Sequence, residues 1–101
     1  MTLRKFEVTF YDGGEEIDTG IIGIDQSVID VVDDEWRTYF YQLYTPEEIA
    51  AHIAWNMVIN NMRLSEIEGW LMPDELAQMI VWPQTDDWEV KAKEIKEIKD
   101  G

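Results

Sequence analysis

The sequence predicts an α+β domain in which a small antiparallel sheet carries two main helices and short helical turns on one face. Residues near both chain ends alternate between apolar and polar, as in half-buried strands, and the residues between them place apolar side chains at spacings of three and four. A chain of 101 residues suits one domain, because two would each be too small to bury a core. We therefore expect residues 1–101 to fold together in the order β-β-α-α-α-β.

An N-terminal β-hairpin comes first. Phe6, Val8 and Phe10 alternate with polar residues, which is the period of a strand with one buried face. Asp12-Gly13-Gly14 then supplies residues suited to a tight turn with positive φ, and residues 17–24 form the returning strand.

Two amphipathic helices follow. Ser27 can cap the first, whose apolar stripe comprises Ile29, Val32, Trp36, Tyr39, Phe40 and Leu43. Thr45-Pro46-Glu47-Glu48 is a capping box with proline at the first helical position, and it predicts a helix to about residue 61. The inward stripe of this second helix is Ile49, Ile53 and Met57, while Glu48, His52, Asn56 and Asn60 line its outer side.

The last third of the chain is less regular. A second capping box at Ser65 precedes Gly69, which predicts a single turn, and Pro73 begins a short helix to about residue 80. Trp88, Val90 and Ala92 alternate with charged residues and predict a last strand that pairs with the hairpin. Ile95 and Ile98 are spaced by three, so a bulge or a helical tail is an alternative there, and we favour a strand.

Net charge is the main compositional signal. The chain has 22 Asp and Glu against 8 Lys and Arg, a formal charge of −14, and residues 6–90 hold 19 of the acids but only Arg37 and Arg63 as bases. Such a field repels nucleic acid and membranes and attracts basic protein surfaces. The other six bases, at residues 4–5 and 91–99, would gather on neighbouring strands if the last strand joins the hairpin.

Chemical motifs do not point to an enzyme. The chain has no cysteine, which excludes disulfides, thiolate metal sites and a cysteine nucleophile. His52 is the one histidine and no nucleophile motif accompanies it, while the carboxylates of residues 30–35 lack the EF-hand pattern. We expect no cofactor, no metal and no catalytic residue. Without a signal peptide or membrane helix, we expect a cytoplasmic monomer or small homo-oligomer.

In its size, acidity, lack of cysteine and lack of a catalytic motif, the chain resembles the inhibitors that phages and mobile elements deploy against restriction and CRISPR enzymes. This resemblance implies a DNA mimic that occupies the basic nucleic-acid groove of a host defence protein, such as a CRISPR effector. The predicted contact residues are carboxylates of the hairpin turn and of the first helix: Asp12, Glu15, Glu16, Asp18, Asp30, Asp33 and Asp34.

An adaptor or structural module is the alternative. Trp55 lies near the edge of its helix's apolar stripe and beside Asn56 and Asn60, and tryptophan is enriched among residues that dominate binding energies. In that case Trp55, Asn56 and Asn60 would contact the partner, and the charge would serve solubility alone.

Overall fold

A computed structural model describes residues 3–84 and 91–98 of the chain. The described residues form an antiparallel sheet of four strands in the order β3-β2-β1-β4, with helices attached, and this confirms the predicted α+β class. The strands are β1 (Arg4–Asp12), β2 (Glu15–Ile24), β3 (Ala77–Val81) and β4 (Lys91–Ile98). The helices are α1 (Gln26–Asp30), α2 (Asp34–Tyr39) and α3 (Pro46–Ile59), and single 3-10 turns occupy Leu64–Glu66 and Asp74–Leu76.

The predicted hairpin is present. Asp12 faces Glu15 across the turn, and Gly13 and Gly14 adopt φ values of 59° and 91°, which residues with a side chain rarely adopt. Every second residue of β1, namely Phe6, Val8 and Phe10, is fully buried against the helices. The apolar residues of the alternating pattern are therefore the ones on the buried face of the strand.

The predicted C-terminal strand is also confirmed where the structure describes it. β4 pairs with β1 from Lys91 to Ile98, so the segment is not a helical tail. Its register shifts by one residue, and Glu94 adopts a φ of 52° there, as in a β-bulge. Trp88 and Val90, also predicted in this strand, lie outside the described residues, as does Lys99.

The prediction of one long first helix is wrong. α1 ends at Asp30 and α2 begins at Asp34, because the Asp33 side chain accepts a hydrogen bond from the Trp36 amide at 2.8 Å and starts a new helix. The N-cap of α1 is Asp25 and not Ser27, since the Asp25 carboxylate accepts a hydrogen bond from the Ser27 amide. Tyr39 and Phe40, assigned to the buried stripe, are exposed.

The prediction of a helix from Pro73 to Ile80 is wrong as well. Only Asp74–Leu76 forms a helical turn, of the 3-10 type. The residues that follow form β3, which pairs with residues 21–24 of β2. Local signals favoured a helix after proline, but extended backbone here satisfies the hydrogen-bonding groups along β2. The single turn predicted near Ser65 is confirmed as the 3-10 turn Leu64–Glu66.

The second predicted helix is confirmed as α3, and it packs across the sheet. The Thr45 side chain accepts the Glu48 amide at 3.1 Å, as the capping box predicts. Ile49, Ile53 and Met57 are buried as predicted. The core therefore lies between α3 and the inner faces of β1 and β2, with α1 and α2 closing one end.

Candidate interaction surface

The junction of α1 and α2 carries a group of exposed carboxylates. Asp33 is the N-cap of α2 and Asp34 is in its first turn, while Asp30 ends α1 and accepts a hydrogen bond from Gln26 at 2.9 Å. Negative side chains at the start of a helix are favoured by its dipole, so these carboxylates also stabilise α2. The structure thus brings together Asp30, Asp33 and Asp34, the three predicted contact residues of the first helix.

A short aromatic segment, which we call the aromatic loop (residues 39–44), begins at the last residue of α2. Tyr39 is 72% exposed, Tyr44 is 61% exposed, and Phe40 and Tyr41 are a little over one-third exposed. Large aromatic side chains exposed together are typical of binding surfaces, because their burial against a partner stabilises a complex strongly.

Arg37 holds the aromatic loop against the acidic junction. Its guanidinium donates to the Leu43 carbonyl at 2.6 Å and to Asp34 at 3.0 Å, and its carbon lies 4.9 Å from the centre of the Tyr44 ring. The Gln42 amide donates to the Arg37 carbonyl at 3.1 Å, and Tyr44 donates to Gln42. One arginine therefore places the exposed carboxylate of Asp34 beside the exposed ring of Tyr44. We call Asp30, Asp33, Asp34, Tyr39 and Tyr44 the acidic–aromatic surface.

A buried pair of tryptophans supports this surface from below. The rings of Trp36 and Trp70 lie 4.9 Å apart, and their indole N–H groups donate to the carbonyls of Gly69 at 2.8 Å and Val28 at 3.0 Å. Trp36 also contacts Phe40 at 5.1 Å between ring centres. The aromatic loop thus rests on a fixed platform and does not depend on its own short helix alone.

His52 belongs to the same aromatic group and not to an outer polar stripe, so its predicted exposed position is wrong. Its ring lies 4.2 Å from Tyr41 and 5.9 Å from Trp70. Burial lowers the pKa of His52 below its ordinary value, and within the described part of the chain its buried Nε2 has no hydrogen-bond partner. His52 therefore packs as a neutral ring beneath the aromatic loop.

The four hairpin carboxylates lie at the other end of the sheet. Asp12, Glu15 and Glu16 flank the β1–β2 turn, whereas α1 follows the opposite end of β2. At about 3.3 Å per residue, the ten residues of β2 place the hairpin turn and the start of α1 roughly 30 Å apart. Asp18 accepts the amides of Gln84 and Thr19, both at 2.8 Å, and these bonds lower its pKa. The predicted acidic residues therefore form two separate groups.

The residues of the alternative site are engaged within the chain. Trp55 is half-buried and lines a shallow pocket with Lys91 and Ala92 of β4. The Asn56 amide donates to the His52 carbonyl at 2.9 Å, and Asn60 donates to Asn56 at 3.1 Å. Among these three residues, Asn60 at the end of α3 is the exposed one.

Lysines occupy the face of the sheet opposite the helices. Cross-strand pairing places Lys93 beside Thr9 and Lys96 beside Glu7 on the outer face, and it places Lys91 beside Tyr11 at the start of β4, where Lys91 also lines the pocket with Trp55. A hydrogen bond with Glu94 raises the pKa of Tyr11 to about 12, so this tyrosine stays neutral among the lysines. Arg4 differs from them, because it points towards the helices and pairs with Glu97 at 2.6 Å. Five of the six bases expected to gather, namely Arg4, Lys5, Lys91, Lys93 and Lys96, thus lie on the paired strands β1 and β4, and the sixth, Lys99, lies outside the described residues.

Sequence reasoning missed the aromatic loop because Tyr39 and Phe40 fitted a helical stripe. A signal was present, since Tyr39, Phe40 and Tyr41 are consecutive and cannot all face one side of a helix.

Within residues 3–84 and 91–98, no cluster of three or more His, Asp or Glu side chains is arranged to hold a metal ion. None of the helices in this part of the chain has the length and apolar character needed to cross a membrane. No protein-family model, curated protein or solved structure matches the chain.

Proposed function

We propose that this chain is a non-catalytic inhibitor that docks its acidic–aromatic surface on the basic nucleic-acid groove of another protein. The observation that carries the proposal is the Arg37 link, which joins Asp34 at 3.0 Å to the Tyr44 ring at 4.9 Å on one exposed surface. By the resemblance in size and charge, the partner is a defence enzyme such as a restriction or CRISPR nuclease, and the source is a phage or mobile element.

The chemistry of the surface supports this partner class. Nucleic-acid grooves combine Lys and Arg, which contact phosphates, with flat side chains on which bases stack. Exposed carboxylates can replace the phosphates, and the rings of Tyr39 and Tyr44 can stack on arginine as bases do. The surface therefore presents both features that such a groove recognises.

The position of the charges further supports docking through the helices. Two lysines of β4 occupy the outer face of the sheet, while Asp30, Asp33 and Asp34 lie at the helical end. A basic partner is attracted to the helical end and repelled by the lysines, so the field orients the chain during approach.

The test begins with a binding partner captured on the immobilised chain and then purified. We expect the partner to bind nucleic acid, and we expect the chain to displace labelled duplex DNA or RNA from it in a fluorescence anisotropy titration. The affinity should fall steeply as NaCl is raised. A partner that holds nucleic acid and the chain simultaneously would contradict the proposal.

Two matched triple variants locate the surface. Asp30→Asn, Asp33→Asn and Asp34→Asn remove three charges while asparagine retains the capping role of residue 33. Asp12→Asn, Glu15→Gln and Glu16→Gln remove three charges from the hairpin end. For the first set we expect a loss of affinity of roughly tenfold or more, which corresponds to about 1.4 kcal/mol, together with a weaker salt dependence. For the second set we expect only a small change in affinity. Equal losses would refute the assignment to the helical end.

The adaptor function is the second candidate, and its prediction differs. Affinity would be nearly independent of NaCl, and Trp55→Ala would weaken binding more than any Asp substitution. The half-buried position of Trp55 beside β4 disfavours it as an anchor, because its ring already packs within the chain.

A further inference from the structure

β3 forms one edge of the sheet and exposes apolar side chains. Among the described residues it pairs with β2 alone, so the hydrogen-bonding groups of its outer edge face away from the sheet. Ile80 is 48% exposed and Trp82, which follows the strand, is 58% exposed. Residues 76–84 contain no Asp, Glu, Lys or Arg, whereas exposed edge strands commonly carry charges that prevent pairing with another chain.

A cleft of about 600 Å³ runs beside this edge. Met57 and Leu64 are buried at its base, and Ala77, Gln78 and Trp82 contribute from β3 and the residue after it. The charged rim is neutralised in part within the chain, since Arg63 lies 3.4 Å from Glu66 and 3.8 Å from Asp74. The cleft therefore combines an apolar base, which can receive a large apolar side chain, with a polar rim formed by Asn61, Arg63, Glu66, Asp74 and Gln78.

We infer that β3 pairs with β3 of a second copy of this chain, forming a symmetric dimer with a continuous sheet. Two identical antiparallel edges are complementary to each other, because a two-fold axis places each strand opposite itself in the reverse direction. The inference concerns a surface separate from the acidic–aromatic surface and does not depend on the proposed function.

The regular part of β3 sets where the dimer axis falls. Ala77, Gln78 and Met79 pair in register with β2, and the register shifts at Ile80. A two-fold axis near Gln78 or Met79 places the end of β3 in one copy, with Trp82 after it, near the start of β3 in the other copy, where Asp74 and Ala77 line the cleft. Each exposed Trp82 would then fill the cleft of its partner, which buries the largest apolar side chain on this edge.

The lack of charged residues along this edge makes it a more favourable place for two copies to meet than the other surfaces. Each copy carries −14, so two copies repel one another across most approaches. The uncharged run of residues 76–84 minimises that repulsion at contact. Because salt screens the remaining repulsion, the dimer should strengthen as NaCl rises, which is opposite to the salt dependence expected of docking on a basic partner.

The test is sedimentation equilibrium of the full chain across the micromolar range at low and high NaCl. We expect a shift from 11.9 kDa to twice that mass, with tighter association at high NaCl. Gln78→Lys should weaken the dimer at least tenfold by placing two lysines at the axis, whereas Thr38→Lys, with the same charge change on α2, should not.

A second pair of variants separates the two surfaces. Trp82→Ala should weaken the dimer without changing affinity for a basic partner, and Tyr39→Ala should do the reverse. If the chain stays at 11.9 kDa in high NaCl, the inference is wrong. The same conclusion holds if the β3 edge pairs with strands of other proteins but not with a second copy of the chain. A dimer that is equally stable in the Gln78→Lys and Thr38→Lys variants, or unaffected by Trp82→Ala, also overturns it.

Discussion

Substitution of Gly69 by alanine should destabilise the platform beneath the aromatic loop. A Cβ atom at this position would lie 2.6 Å from Cζ2 of the Trp36 ring, which is far closer than van der Waals contact. Trp36 cannot simply move away, because it is buried, packs against Trp70 and donates a hydrogen bond to the Gly69 carbonyl. The φ of Gly69 is also 102°, a conformation that strains any residue with a side chain.

These two effects can be separated by a matched glycine. Gly14 has a φ of 91°, but a Cβ there would meet no atom within 4 Å. Gly14→Ala should therefore lose only the backbone term, about 1–2 kcal/mol. Gly69→Ala should lose that term and about 1–3 kcal/mol more for overpacking against Trp36.

Urea unfolding monitored by tryptophan fluorescence measures both variants. We expect the unfolding midpoint of Gly69→Ala to fall clearly below that of Gly14→Ala, with similar slopes. If the two variants lose the same free energy, the close contact between Gly69 and Trp36 does not constrain the ring, and Trp36 is not a fixed platform for the aromatic loop.

Three further perturbations test individual contacts. Asp33→Ala should lower the free energy of unfolding by about 1 kcal/mol and Asp33→Asn by much less, as measured by urea unfolding; equal losses would argue against the cap. Trp70→Phe should cost about 1–3 kcal/mol, because it leaves the buried Val28 carbonyl unpaired; a neutral result would show that the bond is unimportant. In the folded chain the pKa of His52 is lowered, so the unfolded chain binds a proton at His52 more readily. The free energy of unfolding of the wild type should therefore fall as the pH drops below 6.5. The His52→Phe variant should show a smaller fall over the same range.

Much of the fold was predictable because its signals are local and periodic. The alternation in β1, the turn at Gly13-Gly14 and the capping box of α3 each depend on residues a few positions apart. The helix break at Asp33 was not predicted, because Asp33 fitted the polar face of a continuous helix as well as it fits a cap. β3 was missed for a different reason, since its conformation depends on pairing with residues 21–24, more than fifty positions earlier.

The candidate site was predictable only in its acidic part. Carboxylates of one helical region could be grouped from the sequence, and the structure keeps Asp30, Asp33 and Asp34 together. The aromatic loop depends on the contacts of Arg37 with Leu43 and Tyr44. Such contacts leave no periodic pattern in the sequence, so they could not be predicted from it. The separation of the hairpin carboxylates was likewise set by the length of β2 and not by any motif.

The sheet gives this small domain three surfaces with different chemistry. β1 and β4 present lysines on the outer face, β3 presents an uncharged apolar edge, and the helical end presents carboxylates beside exposed rings. Since β3 and β4 lie at opposite edges, a dimer through β3 leaves the lysines of both copies on one face of the extended sheet. The helices of both copies then lie on the other face, so both acidic–aromatic surfaces remain outside the β3 contact. Dimerisation would thus leave two docking surfaces available, and a partner with two basic grooves would bind the dimer more tightly than the Gln78→Lys monomer.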